Sequence, residues 1–369
     1  MEKSKGKIGI REYVSIIILV VGVKLSDNTP AIFIETLGSA YWMAPLIIGI
    51  LSFIPIYLMM KVVTLYKDKN LHDCILHLFG KYLGNVLSFV LLLFGISALI
   101  FDSAAYVDII GTMYFTKTPT LIIYLVLMAV SAYIAKKGLE HLGTVAWLVL
   151  FYIKLSLFVA LLFSLRNGNI AFLFPLLGYG EWQVIKDSSL HVSIFADFFF
   201  LGLIAPYIIS AKAFKKGTII GLLFVTFELC FTFLVYLMVF DYEGLKMINY
   251  PYHEVIRVIR LGFLTNVETF FFPFWVIATF IRFSFYLYLI TLFLGGIFKI
   301  KKFEYLIPTI ATIIVFIGVF PEAPTFTVTY FREILLNILS PLFLFFPVLM
   351  WLVAKFKGEF KHDKAKEHV

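Results

Sequence analysis

Val20-Val21-Gly22-Val23-Lys24-Leu25-Ser26-Asp27-Asn28-Thr29-Pro30-Ala31-Ile32-Phe33-Ile34 is the stretch that decides how this chain folds. It begins and ends as a membrane span, yet a lysine and an aspartate stand at its centre. A charge at mid-bilayer costs about 2.5–3.5 kcal/mol on insertion scales, so it needs a partner or a water-lined cavity. A polar run ending in proline also interrupts the helix, and open backbone at that depth survives only where protein or a cavity protects it. Interrupted helices of this kind build the substrate sites of secondary transporters.

The remainder of the chain agrees with a membrane reading. Of its 369 residues 61% are hydrophobic and only 15% charged, and the mean hydropathy is +0.96, outside the range of a soluble domain. The apolar runs are continuous rather than alternating, which excludes a β-barrel and predicts an all-α polytopic membrane protein. Ten runs of about 20 residues are expected as transmembrane helices, at roughly 13–34, 42–62, 86–110, 120–136, 143–165, 190–210, 217–240, 267–297, 303–320 and 333–354. What is left suffices for loops and two short tails, which leaves no room for a soluble catalytic domain; the chain is not expected to be an enzyme. Lys3, Lys5, Lys7 and Arg11 before an apolar run imitate a signal peptide, but nine further spans favour a retained helix. Cys74 and Cys230 lie in a basic loop and at mid-membrane, so they cannot form a disulfide framework.

Of the 31 Lys and Arg residues, 21 fall in the N-tail, the even-numbered connections and the C-tail, and seven, Arg332 among them, in the odd-numbered connections. The positive-inside rule then puts both termini in the cytoplasm. The net charge of +8 resides in these cytoplasmic clusters, which suit an anionic lipid bilayer, and no nucleic-acid partner is implied. Two outer connections are long enough to fold. Residues 166–189 are punctuated by Pro175, Gly178 and Gly180. Residues 241–266 contain Tyr250-Pro251 followed by apolar residues three to four apart, predicting a short amphipathic helix that is either a lid or a helix resting on the interface.

Three cations, Lys24, Lys154 and Arg282, are expected inside the membrane. Lys24 and Asp27, three apart, would share a helical face and either neutralise each other or, with Ser26, Asn28 and Thr29, bind a polar ligand whose carboxylate Lys24 attracts. Lys154 is too deep in the fifth span to snorkel comfortably. It is either a packing ion pair with Asp102, Asp197 or Asp27, or a fixed positive charge standing where an ion-coupled transporter holds sodium. Asp197 lies in the first half of a sixth span that also carries Gly202 and Pro206, making it the natural second broken helix. In the third span Asp102 and Tyr106 face together, whereas Asp108 lies nearer the outer end. Glu268 begins the eighth span, where a helix N-terminus welcomes negative charge, and Arg282, fourteen residues on, requires a partner. Glu228 in the seventh span reads as a protonated, inert carboxyl. His72, Asp73, Cys74 and His77 sit in one loop, but the histidines, five apart, diverge on a helix, so no metal site is expected. No phosphate loop or nucleophile motif is present, and no cofactor is implied.

A set of short motifs stands in a telling order: Thr118-Pro119, Lys137-Gly138-Leu139-Glu140, Leu173-Phe174-Pro175-Leu176-Leu177-Gly178, Tyr250-Pro251, Val255-Ile256-Arg257-Val258-Ile259, Gly262-Phe263-Leu264, Glu268, Trp275 and Phe280-Ile281-Arg282-Phe283-Ser284. In this order and spacing the chain resembles the polytopic B subunits of bacterial spore germinant receptors, in the amino acid–polyamine–organocation transporter superfamily. The resemblance implies a leucine-transporter-like fold, a single membrane domain over 1–369. It would comprise two inverted five-helix repeats (about 10–165 and 190–354) with broken helices one and six, and a cytoplasmic C-tail, 355–369. It implies a small, amino-acid-like germinant bound near mid-membrane between spans one, three, six and eight, with the helix near 251–264 as lid. It further implies partner A subunits and lipoprotein C subunits in the spore inner membrane. On that basis Lys24, Ser26, Asp27, Asn28, Thr29, Tyr106 and Asp197 are the candidate ligand site, and Lys154, Asp102, Glu268 and Arg282 the candidate ion-substituting or gating residues. Two features depart from the family pattern: Glu268 replaces an aspartate, and Lys24 and Asp27 replace small residues. Lys154 is similar to the lysine that replaces sodium in proton-coupled relatives, which keeps a proton-coupled amino-acid transporter as the alternative.

Overall fold

The computed structural model describes residues 7–66, 68–260, 267–320 and 324–360. Helix occupies each of the ten expected stretches. By length and composition six helices are sufficient to cross a bilayer, a bent pair makes a seventh, and Thr120–Lys136 and Phe303–Gly318 are shorter apolar helices. The molecule is an integral membrane protein. Among the described residues the extended pairing is a single isolated bridge.

The first span runs as a helix from Ile10 to Gly22, tightens into a 3₁₀ turn over Val23–Ser26, and restarts as Thr29–Leu37. Asp27 is extended at the break (φ −90°, ψ −162°). Its Oδ1 accepts the Thr29 N–H at 2.7 Å, one of the amides that the restarting helix leaves without a partner. Pro30 follows in the first turn, where its missing N–H costs nothing. The segment before the break is the centre of the molecule. Every residue from Ile16 to Gly22 is buried, packed among Leu139–Ser164, Ala211–Lys246 and Glu268–Ile297.

The sixth span is broken as well, and begins earlier than its hydropathy predicts. Glu181–Leu190 is a helix whose polar sequence, Glu181-Trp182-Gln183-Val184-Ile185-Lys186-Asp187, reads as loop. Beyond it the chain bends by 52° into Val192–Tyr207, mostly 3₁₀ helix around Asp197–Phe200. The expected bounds of 190–210 therefore catch only the second half. The same early start recurs in the tenth span, which begins at Pro324 rather than 333. The start of the first span and the end of the sixth are tied by backbone: Ile8 N–H donates to the Tyr207 carbonyl at 2.9 Å, and Ile209 N–H donates to the Ile8 carbonyl at 3.1 Å.

Close approach of the first and seventh spans depends on small residues. A Cβ on Gly221 would lie 2.5 Å from Ile17 Cγ2, and one on Gly217 2.6 Å from Tyr13 Cδ1. The Tyr13 hydroxyl hydrogen-bonds Thr218 at 2.7 Å in the same seam. In lipid, such small-residue contacts and interhelical hydrogen bonds replace the hydrophobic effect as the source of helix association. Gly221→Val is therefore expected to push the two spans apart and destabilise the protein by about 1–3 kcal/mol, seen as a lower melting temperature in detergent. Ile220→Val, one residue away on the exposed face, is expected to leave the melting temperature unchanged.

Candidate ligand site at the two broken helices

Lys24 and Asp27 do not pair with each other. The 3₁₀ turn and the extended Asp27 send them to different elements, which corrects the shared-face expectation. Lys24 Nζ donates to Asp197 and to the Ile194 carbonyl, the latter at 2.5 Å, both in the sixth span. Asp27 instead accepts from Arg332 of the tenth span at 2.9 Å. Arg332 also donates to Asn28 and, at 3.1 Å, to Thr29 Oγ1. Its Nε lies 3.3 Å from Asp102 of the third span. Asp102 in turn accepts from Arg282 of the eighth span at 2.5 Å, and Arg282 donates to the Val20 carbonyl. Three cations (Lys24, Arg282, Arg332) and three anions (Asp27, Asp102, Asp197) thus form one neutral cluster spanning five helices.

The carbonyls released by the break are taken up by hydroxyls. Tyr106 donates to Val23 at 3.1 Å, Tyr236 to Leu25 at 3.0 Å, and Ser26 to Val23 at 2.6 Å. Tyr106 also stacks on Trp275, 5.6 Å between centroids and 3° between planes, and Trp275 Nε1 donates to Ser26 Oγ at 2.8 Å. The Arg282 guanidinium lies over Tyr106 (5.6 Å) and Tyr286 (5.1 Å), and the Tyr286 hydroxyl donates to Asp197 at 2.6 Å. On one side of the network a cavity of about 50 Å³ is bounded by Asp102, Asp197 and Tyr286, with walls including Leu99, Phe200 and Ile290.

All seven candidate ligand residues, Lys24, Ser26, Asp27, Asn28, Thr29, Tyr106 and Asp197, therefore lie in or against one cluster, together with Asp102 and Arg282. Lys154 and Glu268 do not. Lys154 pairs with Glu228 at 2.5 Å, not with Asp102, Asp197 or Asp27, so Glu228 is an ion-pair partner rather than an inert carboxyl. This pair lies against Gly22, where a Cβ would overlap Glu228 Oε2 and come within 3.4 Å of Lys154 Nζ. Glu268 sits in the first turn of Glu268–Ile297, away from the cluster. Asp108, nearer the outer end, is buried and accepts from Tyr250 at 2.5 Å. His72 meets Ser88 at 2.9 Å while His77 meets Glu359 at 3.0 Å, so the loop histidines go separate ways, and burial pushes the Cys74 thiol up to about 12.

Arg332 is the residue that sequence reasoning misplaces. Starting the tenth span at 333 leaves it in an outer connection; the proline at 324, a natural helix opening, is the signal that would have moved it inside. Trp275 stands among the family motifs without a role, and Tyr286 and Ser340 carry no signal. Ser340 accepts from the Ser193 N–H at 3.1 Å, and Ser193 Oγ donates to the Leu336 carbonyl at 2.7 Å, so the tenth span also satisfies the break in the sixth.

Two broken helices meeting at a buried polar centre define the class: a helical membrane protein of the transporter type. Solved structures agree on the fold. The chain superimposes on Mhp1, a nucleobase-cation-symport-1 family transporter held closed with bromovinylhydantoin bound (TM-score 0.63, 11% identity, 94% of this chain and 78% of that one). It also superimposes on a manganese transporter of Eremococcus coleocola (TM-score 0.57, 14% identity, 93% and 78%). Within that class the chain belongs to the spore germination protein family, whose sequence model matches residues 8–327. Among its relatives in Bacillus subtilis strain 168, spore germination protein KB is 25% identical over 98% of both chains, and spore germination protein YndE is 22% identical over 70% of this chain and 72% of its own.

Each buried charge here depends on its partner. Removing one member of a buried ion pair costs about 3–5 kcal/mol because the other is left uncompensated, whereas removing both is close to neutral. Lys24→Met should lower stability by that amount, and the double variant Lys24→Met/Asp197→Asn should recover most of it. Thermal melts of the purified single and double variants measure the difference.

Proposed function

We propose that this chain is the membrane subunit of a spore nutrient germinant receptor. It binds a small polar, amino-acid-like germinant at the break of the first span and passes the rearrangement to A and lipoprotein C subunits in the spore inner membrane, with both termini cytoplasmic. The observation that carries this reading is the neutral six-charge cluster at the two broken helices. A molecule entering there must part an ion pair. A lone cation or anion would strand one buried charge. A zwitterion does not: its ammonium replaces Lys24 on Asp197 and the Ile194 carbonyl, while its carboxylate meets the displaced lysine or Arg332. The roles follow from the contacts. Lys24 and Asp197 are the pair exchanged; Ser26, Asn28 and Thr29 offer polar groups at the break; Asp27 and Asp102 hold Arg332 and Arg282; Tyr106 covers the break with its ring. The two five-helix repeats, about 10–165 and 190–354, supply opposite sides of this pocket.

A second reading, a proton-coupled amino-acid transporter, is favoured by one observation: Lys154 and Glu228 form an ion pair against Gly22, at the end of the helix that leads into the break. Reconstitution in liposomes separates the two. On the receptor reading, amino acids bind without concentrative uptake under an imposed proton gradient, and Lys154→Ala reduces stability without changing flux. Gradient-driven accumulation that Lys154→Ala abolishes would replace the receptor with the transporter.

A further inference from the structure

The short helix Pro251–Arg257 between the seventh and eighth spans is not a surface ornament. Pro251, Tyr252, His253, Val255 and Ile256 are buried, and the helix packs directly on Val23–Ser26. The residue it delivers to the break is His253, 1% exposed. The imidazole stands edge-on to Trp275, 4.7 Å between centroids and 86° between planes, beside the same indole that donates to Ser26. Its Nδ1 is 2.8 Å from the Tyr114 hydroxyl. Its Nε2 is buried and makes no hydrogen bond. The polar group it faces is the Ser26 backbone.

A buried polar atom left without a partner costs about 1–3 kcal/mol. Such a cost at the edge of a binding site calls for an explanation, and a hydrogen-bond partner brought by the ligand supplies one. With the Tyr114 hydroxyl donating to Nδ1, the ring carries its hydrogen on Nε2, a donor aimed at the unwound backbone. We infer that His253 is a specificity-determining contact of the germinant site, its Nε2–H donating to an oxygen of the bound molecule, so that the site selects a ligand bearing an acceptor there. The inference rests on the reading that the germinant binds at the break of the first span. Burial holds the imidazole neutral, its pKa pushed down to about 3, so it is a neutral donor with a fixed tautomer rather than a fixed cation. A carboxylate oxygen is the acceptor that fits, since the zwitterion that parts the Lys24 pair presents one toward the same turn.

The test uses the full-length purified protein, with the free L-amino acids as probes, screened one at a time by ligand-induced thermal shift and titrated where they respond. Two variants isolate Nε2. Tyr114→Phe keeps His253, and the double variant Tyr114→Phe/His253→Phe replaces both hydrogen-bonding partners with apolar rings of similar shape, a change that leaves stability nearly unaltered. The expected result is an unchanged ligand-free melting temperature in the double variant with affinity about tenfold weaker, and near wild-type affinity in Tyr114→Phe. The wild type should also prefer the responding amino acid over its carboxamide, and that preference should narrow in the double variant, Lys24 and Arg332 keeping the remainder. If the double variant fails to fold, Tyr114→Phe/His253→Gln restores a donor at the same place and must restore binding. Unchanged affinity in the double variant, or no rescue by glutamine, overturns the assignment of His253 while leaving the receptor reading intact. A wild type that responds to no amino acid overturns both.

Discussion

Six charges that neutralise one another, four of them buried and two (Asp102 and Asp197) at the wall of the small cavity, impose the arrangement of this molecule. No ion in the cluster has its partner on its own helix: Lys24 reaches the sixth span, Asp27 the tenth, and Asp102 both the eighth and the tenth. Pulling any one of these helices out of register would bury an uncompensated charge, at several kcal/mol. That is more than the few tenths to one or two kcal/mol of an ordinary interhelical hydrogen bond in a membrane. The charges therefore fix which helices meet and at what depth, and the apolar contacts fill in around them. The break in the first span follows from the same constraint, because a continuous helix could not aim Lys24 and Asp27 at different spans.

Spans outside the central four complete the arrangement. The tenth span holds the first break through Arg332 and the sixth through Ser340, eight residues or about 12 Å apart along one helix. A single helix thus touches both discontinuities, with no loop between the two contacts. On the opposite flank the Lys154–Glu228 pair fills the space that the absent side chain of Gly22 leaves open, joining spans five and seven to span one. The broken helices are thereby held from two sides by charge and, where the first begins and the sixth ends, by the backbone bridge between Ile8 and Ile208.

Much of this is legible in the sequence because it depends on local polarity set against a long apolar background. Lys24 to Pro30 announces an interrupted span, and the family motifs carry the fold. What is illegible is partnership. Lys24 and Asp27 are near in sequence, and proximity suggests a pair; the backbone turn between them decides otherwise, and nothing in residue spacing reports a turn's direction. Lys154 and Glu228 each stand out as buried charges, yet matching them requires knowing that spans five and seven both flank Gly22. Arg332 is lost because hydropathy starts the tenth span at 333 and the helix starts at Pro324, and the polar half-helix Glu181–Leu190 is lost to the same cause. Hydropathy locates long apolar runs, and charged residues interrupt the run in both segments: Glu181, Lys186 and Asp187 in the first, Arg332 and Glu333 in the second.

A site whose charges are already satisfied has a consequence for sensing on the proposed receptor reading. A ligand shifts a conformational equilibrium only by as much as it favours one state over the other, and driving a switch from about 1:99 to 99:1 requires roughly 5.5 kcal/mol. Binding to an empty pocket can be tight yet indifferent to conformation. Exchange of a buried ion pair cannot be indifferent, because the displaced Lys24 must find compensation elsewhere and the sixth-span segment at Asp197 must follow its new partner. Stranding one member of such a pair costs about 3–5 kcal/mol. A partly bound intermediate, with one charge stranded, sits above both end states by a similar amount, which makes the response all-or-none rather than graded. The self-paired centre that would hinder a transporter turning over many times is thus suited to a protein that must remain silent until its ligand arrives.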